Sequence, residues 1–95
     1  MIMKYKKKPV VIEAVQYKYW DNGKPIFSEN LDWVNKAIED GVIFLGEKGA
    51  GYRLFIKTLE GNLVVNNGAF IIKGVRGELY ACDQEIFKQT YEEAV

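Results

Sequence analysis

The sequence predicts an α+β protein: a bent antiparallel sheet or a partly open small barrel of about six strands, with one helix on the sheet and a C-terminal helix closing an end. Short apolar runs rich in β-branched and aromatic residues alternate with turns that contain glycine, which is typical of strands. Most of these runs follow one another after a few residues, so consecutive strands are expected to be antiparallel neighbours. Two stretches instead repeat apolar residues at helical spacing. The predicted order is β-α-β-β-β-β-β-α.

The first predicted strand begins at Pro9 and has apolar residues on both faces. Proline is tolerated at this position because the first residue of a strand can lack the N–H that bonds to a neighbouring strand. Because both of its faces are apolar, the strand is expected to be central or covered on both sides. Residues 19–25 contain Asn22-Gly23 and Pro25 and are predicted to form a loop. Asn66-Asn67-Gly68 tolerates a positive φ and is predicted to form a tight hairpin. The six predicted strands span residues 9–17, 42–45, 52–59, 63–65, 70–72 and 78–81.

Two amphipathic helices are predicted. Ser28 can cap the first, which runs to about Asp40, and Gly41 is a natural residue to end it. Asp83 is a good N-cap for the second helix, and Glu85 lies in its first turn, where a negative charge meets the positive end of the helix dipole. The expected apolar stripes are Leu31, Val34, Ala37 and Ile38, with Trp33 beside them, and Ile86, Phe87, Thr90 and Tyr91.

The composition predicts one domain, residues 1–95, in the cytoplasm. Thirteen basic and thirteen acidic residues give a formal net charge of zero, which disfavours general nucleic-acid binding. The basic start of the chain leads into no sustained apolar segment, so no signal peptide is expected. No apolar run approaches the roughly 20 residues of a membrane-spanning helix. The single cysteine, Cys82, cannot form an internal disulfide, which fits a reducing compartment.

The sequence predicts a protein that is not an enzyme and has no metal or cofactor. Histidine is absent, which removes Ser-His and Cys-His pairs and nearly all zinc sites. Cys82 precedes a predicted helix, but the neighbouring Asp83 opposes thiolate formation, so packing is the expected role. Gly74-Val75-Arg76-Gly77 is similar to the backbone-clamping loop of KH domains, yet strands rather than helices are expected around it. Residues 46–51 lack the ending of a phosphate-binding loop.

Aromatic and basic residues are the candidates for ligand binding. Exposed aromatic rings near loops can stack on bases or other flat ligands, and arginines beside them can supply charge. The alternative is that a small domain uses these rings as its core. Glu13 and Glu78 lie inside predicted strands, where either could form an ion pair with Arg53 or Arg76. The candidate ligand-binding residues are Tyr17, Trp20, Arg53, Arg76, Glu78 and Tyr80, within a wider aromatic set that includes Tyr19 and Tyr52.

Two segments resemble a family of small uncharacterised proteins of tailed bacteriophages and prophages. The opening resemblance is Lys4-Tyr5 with KKPVVIEAVQ at 7–16, and the ending is FIIKG at 70–74, GELY at 77–80, Cys82, IF at 86–87 and TYE at 90–92. The family's Pro-Gly-Asp-Trp is here Asn67-Gly68-Ala69-Phe70, and its Tyr-Pro-Cys is here Tyr80-Ala81-Cys82. The resemblance covers about half of the chain. It implies a phage-encoded cytoplasmic accessory protein of unknown activity, from a phage of a low-GC Gram-positive, staphylococcal-like host.

Three hypotheses about function follow. The first is a non-enzymatic module that binds a host or phage protein inside the infected cell. The alternative is a protein that binds or sequesters a small, nucleotide-like molecule. Single-stranded nucleic-acid binding by an aromatic sheet face is the weakest, because the net charge is zero. A homodimer is left open, since an unpaired edge strand can support one.

Overall fold

Seven strands and two helices make up the computed structural model, which describes residues 3–5, 10–49 and 51–94. All strand pairs are antiparallel, and they form two open sheets, with strand orders β2-β1-β6-β7 and β3-β4-β5. The α+β class is confirmed. Two sheets replace the predicted single sheet, and no closed barrel forms among the described residues. The elements are β1 (Glu13–Asp21), β2 (Lys24–Phe27), α1 (Asp32–Glu39), β3 (Ile43–Lys48), β4 (Gly51–Thr58), β5 (Gly61–Val65), β6 (Phe70–Lys73), β7 (Leu79–Cys82) and α2 (Gln84–Thr90).

The loop predicted for residues 19–25 is wrong, because this segment is a β-hairpin. Asn22 and Gly23 have φ values of 48° and 80°, and a two-residue turn with both residues at positive φ matches the twist of the flanking strands. Pro25 lies in β2, an edge strand, where a residue without an N–H is tolerated. The strand that was missed is therefore β2.

The first strand is central, as predicted, but lies further along the chain. β1 spans Glu13–Asp21 and pairs with β2 on one side and β6 on the other. Val15 and Tyr17 are buried, whereas Val10 and Val11 precede the strand and are exposed. The predicted start at Pro9 lies outside the described residues.

Helix α1 starts four residues after the predicted cap. Ser28 is bonded to β1 instead: its Oγ accepts from the backbone N–H of Gln16 at 3.0 Å, and its own N–H donates to the Gln16 carbonyl at 2.8 Å. The predicted end is confirmed. Gly41 has a φ of 77°, and the N–H of Val42 donates to the carbonyl of Ala37, which is the Schellman arrangement that ends helices.

The hairpin predicted between β5 and β6 is also wrong, because these strands belong to different sheets. A turn over 66–69 carries the chain across, with Gly68 at a φ of 89°. The turn docks on Tyr17, whose carbonyl accepts from the Gly68 N–H at 2.7 Å and whose N–H donates to the Ala69 carbonyl at 2.9 Å. Residues 66–69 therefore join the two sheets.

The core lies between the sheets and under α1. Its most buried side chains are aliphatic residues of strands β1, β3, β4, β5 and β6 together with Val34 of α1. At the other end, the Asp83 carboxylate accepts from the Glu85 N–H, which confirms the predicted cap of α2. The ring of Phe87 in α2 stacks on Phe70 of β6 with centroids 3.9 Å apart. Helix α2 is thus held to the sheet by aromatic stacking.

Candidate functional site

The six candidate residues do not form one site. Tyr17, Trp20 and Arg53 line a cleft at the junction of the two sheets. Glu78 and Tyr80 line a separate groove near α1. Arg76 lines neither hollow and is exposed in the turn between β6 and β7.

The inter-sheet cleft has a volume of about 580 Å³, a size that suits small ligands. Its walls combine rings, a guanidinium and two side-chain amides, contributed by Tyr17, Trp20, Tyr52, Arg53, Asn66 and Asn67. Its aliphatic lining is Leu45, Leu54 and Val65. Aromatic faces, a positive charge and amides together can bind a flat molecule that carries a negative charge.

A β-bulge brings Trp20 to the same side of β1 as Tyr17. In a regular strand, residues three apart point to opposite faces. Tyr17 pairs with Phe27 and Tyr19 with Ile26, so β1 advances two residues while β2 advances one. Such an extra residue re-aims the side chains that follow it. Trp20 therefore faces the cleft, while Tyr19 is exposed.

Arg53 carries the positive charge of the inter-sheet cleft. Its Nη1 donates to the carbonyl of Tyr52 at 2.9 Å, and the Tyr52 hydroxyl donates to Glu47 Oε1 at 3.2 Å. Among the described residues, the ion pairs are Lys36 with Asp40 and Lys73 with Glu13, and neither involves Arg53. The guanidinium is exposed and has remaining donors for an anion.

The apolar groove is a second hollow, of about 680 Å³, between α1, the turn after β4 and strand β7. Its larger apolar side chains are Trp33, Leu59, Leu63, Leu79 and Tyr80, and Ala37 and Val42 complete the apolar lining. Leu59 is fully exposed in the turn between β4 and β5. The lining of the apolar groove also contains charged residues of both signs, namely Lys36, Lys57, Lys73, Asp40, Glu60 and Glu78.

The turn at 74–77 is structural. The Glu78 carboxylate folds back over Gly74, where a Cβ would collide with it, and Glu78 Oε2 accepts from the Arg76 N–H at 3.0 Å. Strands β6 and β7 flank the turn, so the strand context expected from the sequence is confirmed. The predicted ion pair of Glu13 or Glu78 with an arginine is wrong, because Glu13 lies 3.8 Å from Lys73 across the strands.

Burial raises the pKa of Tyr17 in the inter-sheet cleft, of Tyr80 in the apolar groove, and of Cys82, which lines neither. The pKa of the Cys82 thiol is raised by burial and then by the Asp83 carboxylate, so the thiol is protonated at neutral pH. Burial raises the pKa of the Tyr17 phenol. Burial also raises the pKa of Tyr80, and the Tyr91 hydroxyl and the Glu78 carboxylate raise it further. None of these shifts creates a base or nucleophile at neutral pH.

Comparison with protein-family models, with curated proteins and with solved structures gives no match. The resemblance to phage proteins therefore stays a prediction. Neither helix in the described part of the chain is long and apolar enough to cross a membrane. Within those same residues, no three His, Cys, Asp or Glu side chains cluster as metal ligands.

Sequence reasoning missed the apolar groove except for Glu78 and Tyr80. The sequence pattern predicts Leu59 as the last residue of a strand, whereas its position directly before Glu60-Gly61 is the signal for a turn. Trp33 was recognised as lying beside the apolar stripe of α1. Its indole Nε1 is buried without a hydrogen-bond partner among the described residues.

Proposed function

We propose that the protein is a non-enzymatic accessory module that binds a partner protein through the apolar groove. The observation that carries this proposal is the gathering of two aromatic rings and three leucines at the surface, with Leu59 fully exposed. Apolar patches rimmed by polar residues are typical of protein-binding sites. The proposal keeps the host-cell setting that the phage resemblance implies, in which the partner is a host or phage protein and the site of action is the cytoplasm.

Energetics support the apolar groove as the contact surface. Burying a leucine side chain that is fully exposed contributes about 1.5–3 kcal/mol. Tryptophan and tyrosine are enriched among the residues that dominate binding energy, and Trp33 and Tyr80 line the groove together with the leucines. An apolar centre within a polar rim is the usual anatomy of an interface.

The charged rim defines the chemistry of the partner. Three lysines and three carboxylates surround the groove, so its net charge is zero. A nucleic acid requires a basic surface and is disfavoured. The matching occupant is a protein segment with apolar side chains at its centre and charges of both signs around them. Lys36 is already paired with Asp40 at the end of α1, at 3.4 Å, and Lys73 with Glu13, at 3.8 Å. Lys57, Glu60 and Glu78 remain as the rim charges available for specificity.

The experiment compares wild type with Leu59→Asp in affinity recovery from extracts of a low-GC Gram-positive host carrying the phage. Candidate partners are then purified and titrated by calorimetry. Leu59 is fully exposed, so Leu59→Asp is expected to keep the fold. It is expected to weaken the affinity for the partner by about tenfold or more.

Val75→Asp is the matched control, because Val75 is also an exposed aliphatic residue in a hairpin turn but lies outside the apolar groove. Its partner affinity is expected to equal that of the wild type. A purified partner that binds Leu59→Asp as tightly as the wild type would place the interface elsewhere. Self-association of the pure protein that Leu59→Asp abolishes would identify a second copy as the occupant instead.

A further inference from the structure

We infer that the inter-sheet cleft is an independent site for a small planar ligand carrying a negative charge, with a nucleoside monophosphate as the representative chemistry. The inference rests on the cavity, on the rings around it and on the arginine at its edge. It requires neither the apolar groove nor a protein partner.

The rings suit a flat ligand. Trp20 and Tyr52 lie on different strands and in different sheets, so a planar molecule in the inter-sheet cleft can contact a ring from each sheet. Stacking on such rings depends little on the identity of the heterocycle. The β-bulge between Tyr17 and Tyr19 directs Trp20 into the cleft, and bulges are over-represented at sheet edges and next to active sites, where they re-aim a side chain.

The polar groups suit a negative charge beside an edge that forms hydrogen bonds. Arg53 has donors left after its bond to the Tyr52 carbonyl, and it forms no ion pair with a described carboxylate. Asn66 and Asn67 place two amides at the same cleft, and each amide can both donate and accept. A guanidinium pairs well with phosphate or carboxylate, while the amides can read the edge of a heterocycle.

The apolar groove lacks this combination. Its rim has lysines and carboxylates in equal number, and its floor is aliphatic and aromatic. The attraction of an anionic ligand to the lysines is offset there by repulsion from the carboxylates. The chemical contrast assigns the anionic ligand to the inter-sheet cleft.

The test uses Trp20 as the reporter. The chain has two tryptophans, so Trp33→Phe leaves Trp20 as the only one. The probes are AMP, GMP, CMP and UMP, with the four neutral nucleosides and inorganic phosphate as comparisons. At least one monophosphate is expected to quench Trp20 saturably with a dissociation constant below about 1 mM. Its nucleoside is expected to bind about tenfold more weakly, because it lacks the charge.

Two arginine variants decide whether the inter-sheet cleft is responsible. Arg53→Gln is expected to weaken the affinity for the monophosphate about tenfold, measured by fluorescence and by calorimetry. Arg76→Gln removes an exposed arginine outside the cleft and is expected to leave the affinity unchanged. Leu59→Asp is also expected to bind the probe normally, which separates this inference from the proposed function. Absence of saturable quenching by all four monophosphates, or equal affinity in Arg53→Gln, would overturn it.

Discussion

The inter-sheet cleft and the apolar groove each contain a tryptophan, but they place it in different surroundings. Trp20 faces the cleft because of a β-bulge and has a guanidinium and amides beside it. Trp33 comes from a helix, has leucines beside it, and keeps its indole N–H buried without a described partner. The same residue type therefore supports polar recognition at one site and apolar contact at the other. The neighbours decide its role.

The two hollows also depend on different parts of the fold. The inter-sheet cleft lies where residues 66–69 join the sheets, so it depends on contacts between segments distant in sequence. The apolar groove is bordered by α1, the turn between β4 and β5, and the turn before β7. Each of these elements forms from nearby residues, although packing between distant segments brings the three together. Changes in a turn should therefore alter the apolar groove and spare the inter-sheet cleft. The three predictions below test this separation.

The largest expected effect is that of Gly74→Ala. Its Cβ would collide with the Glu78 carboxylate, which must move and lose its bond to the Arg76 N–H. The carboxylate is the far end of a flexible, exposed side chain and can swing aside, so the main cost is one lost hydrogen bond. We expect the free energy of unfolding to fall by at most about 1.5 kcal/mol, measured by urea denaturation. Because Glu78 lines the groove, partner affinity should also fall, while the fluorescence of Trp20, measured in the Trp33→Phe background, stays unchanged.

The matched control is the double variant Gly74→Ala/Glu78→Ala, in which the carboxylate is gone. It should be more stable than the sum of the two single changes predicts, because the collision is relieved. Additive effects would show that the turn can move without involving Glu78. A changed Trp20 spectrum would show that the two hollows are coupled.

The second prediction is a loss of stability at alkaline pH. Burial raises the folded-state pKa of Tyr17, Tyr80 and Cys82 above their unfolded values. Their stabilising contribution is complete below the unfolded pKa values, about 8.5 for cysteine and about 10 for tyrosine, and is lost as the pH rises through the folded ones. Chemical denaturation at increasing pH should show the loss beginning with the cysteine.

Tyr17→Phe isolates the part of this alkaline loss of stability that comes from the Tyr17 phenol in the inter-sheet cleft. This variant should lose less stability than the wild type above about pH 10, while the earlier loss from Cys82 remains. Cys82→Ser should do the reverse and remove the earlier step. If Tyr17→Phe follows the wild-type curve throughout, the Tyr17 phenol is not significantly desolvated.

The smallest expected effect is that of Trp33→Phe. The change loses some apolar contact, but it also removes a buried N–H that has no described partner. An unsatisfied buried donor is unfavourable, so we expect the free energy of unfolding to change by less than about 1 kcal/mol. Trp33→Ala, which removes the ring as well, should be clearly less stable. Equal losses in the two variants would mean that the N–H is hydrogen-bonded in solution.

Local signals in the sequence predicted much of the fold. Asp83 as the cap of α2 and Gly41 as the end of α1 were correct, because each acts through backbone groups within a few residues. Asn22-Gly23 predicts a loop in the sequence analysis, whereas it is the turn of a hairpin in the structure. Reading it as such a turn, with Pro25 allowed on an edge, would have found β2.

Long-range contacts account for the errors. Ser28 is a good cap by type, but its hydroxyl accepts from Gln16 on another strand, so α1 starts later. Residues 66–69 resemble a hairpin turn, yet they pair with Tyr17, and β6 joins β1. The bulge that turns Trp20 toward Arg53 depends on the pairing of β1 with β2. No local pattern in the sequence specifies these partners.

The crossing at residues 66–69 has a consequence for how the chain folds. Strands β3, β4 and β5 are consecutive neighbours, so their sheet can form as soon as the chain reaches Val65. β1 cannot complete its sheet until the chain reaches β6, whose Phe70 pairs with Gln16. The side chain of Gln16 also donates to the carbonyl of Gly68, 52 residues away, in the turn before β6. Until then β1 has an open edge that can pair with another chain. A ribosome-bound or truncated chain that stops before Phe70 should therefore aggregate through the hairpin of β1 and β2.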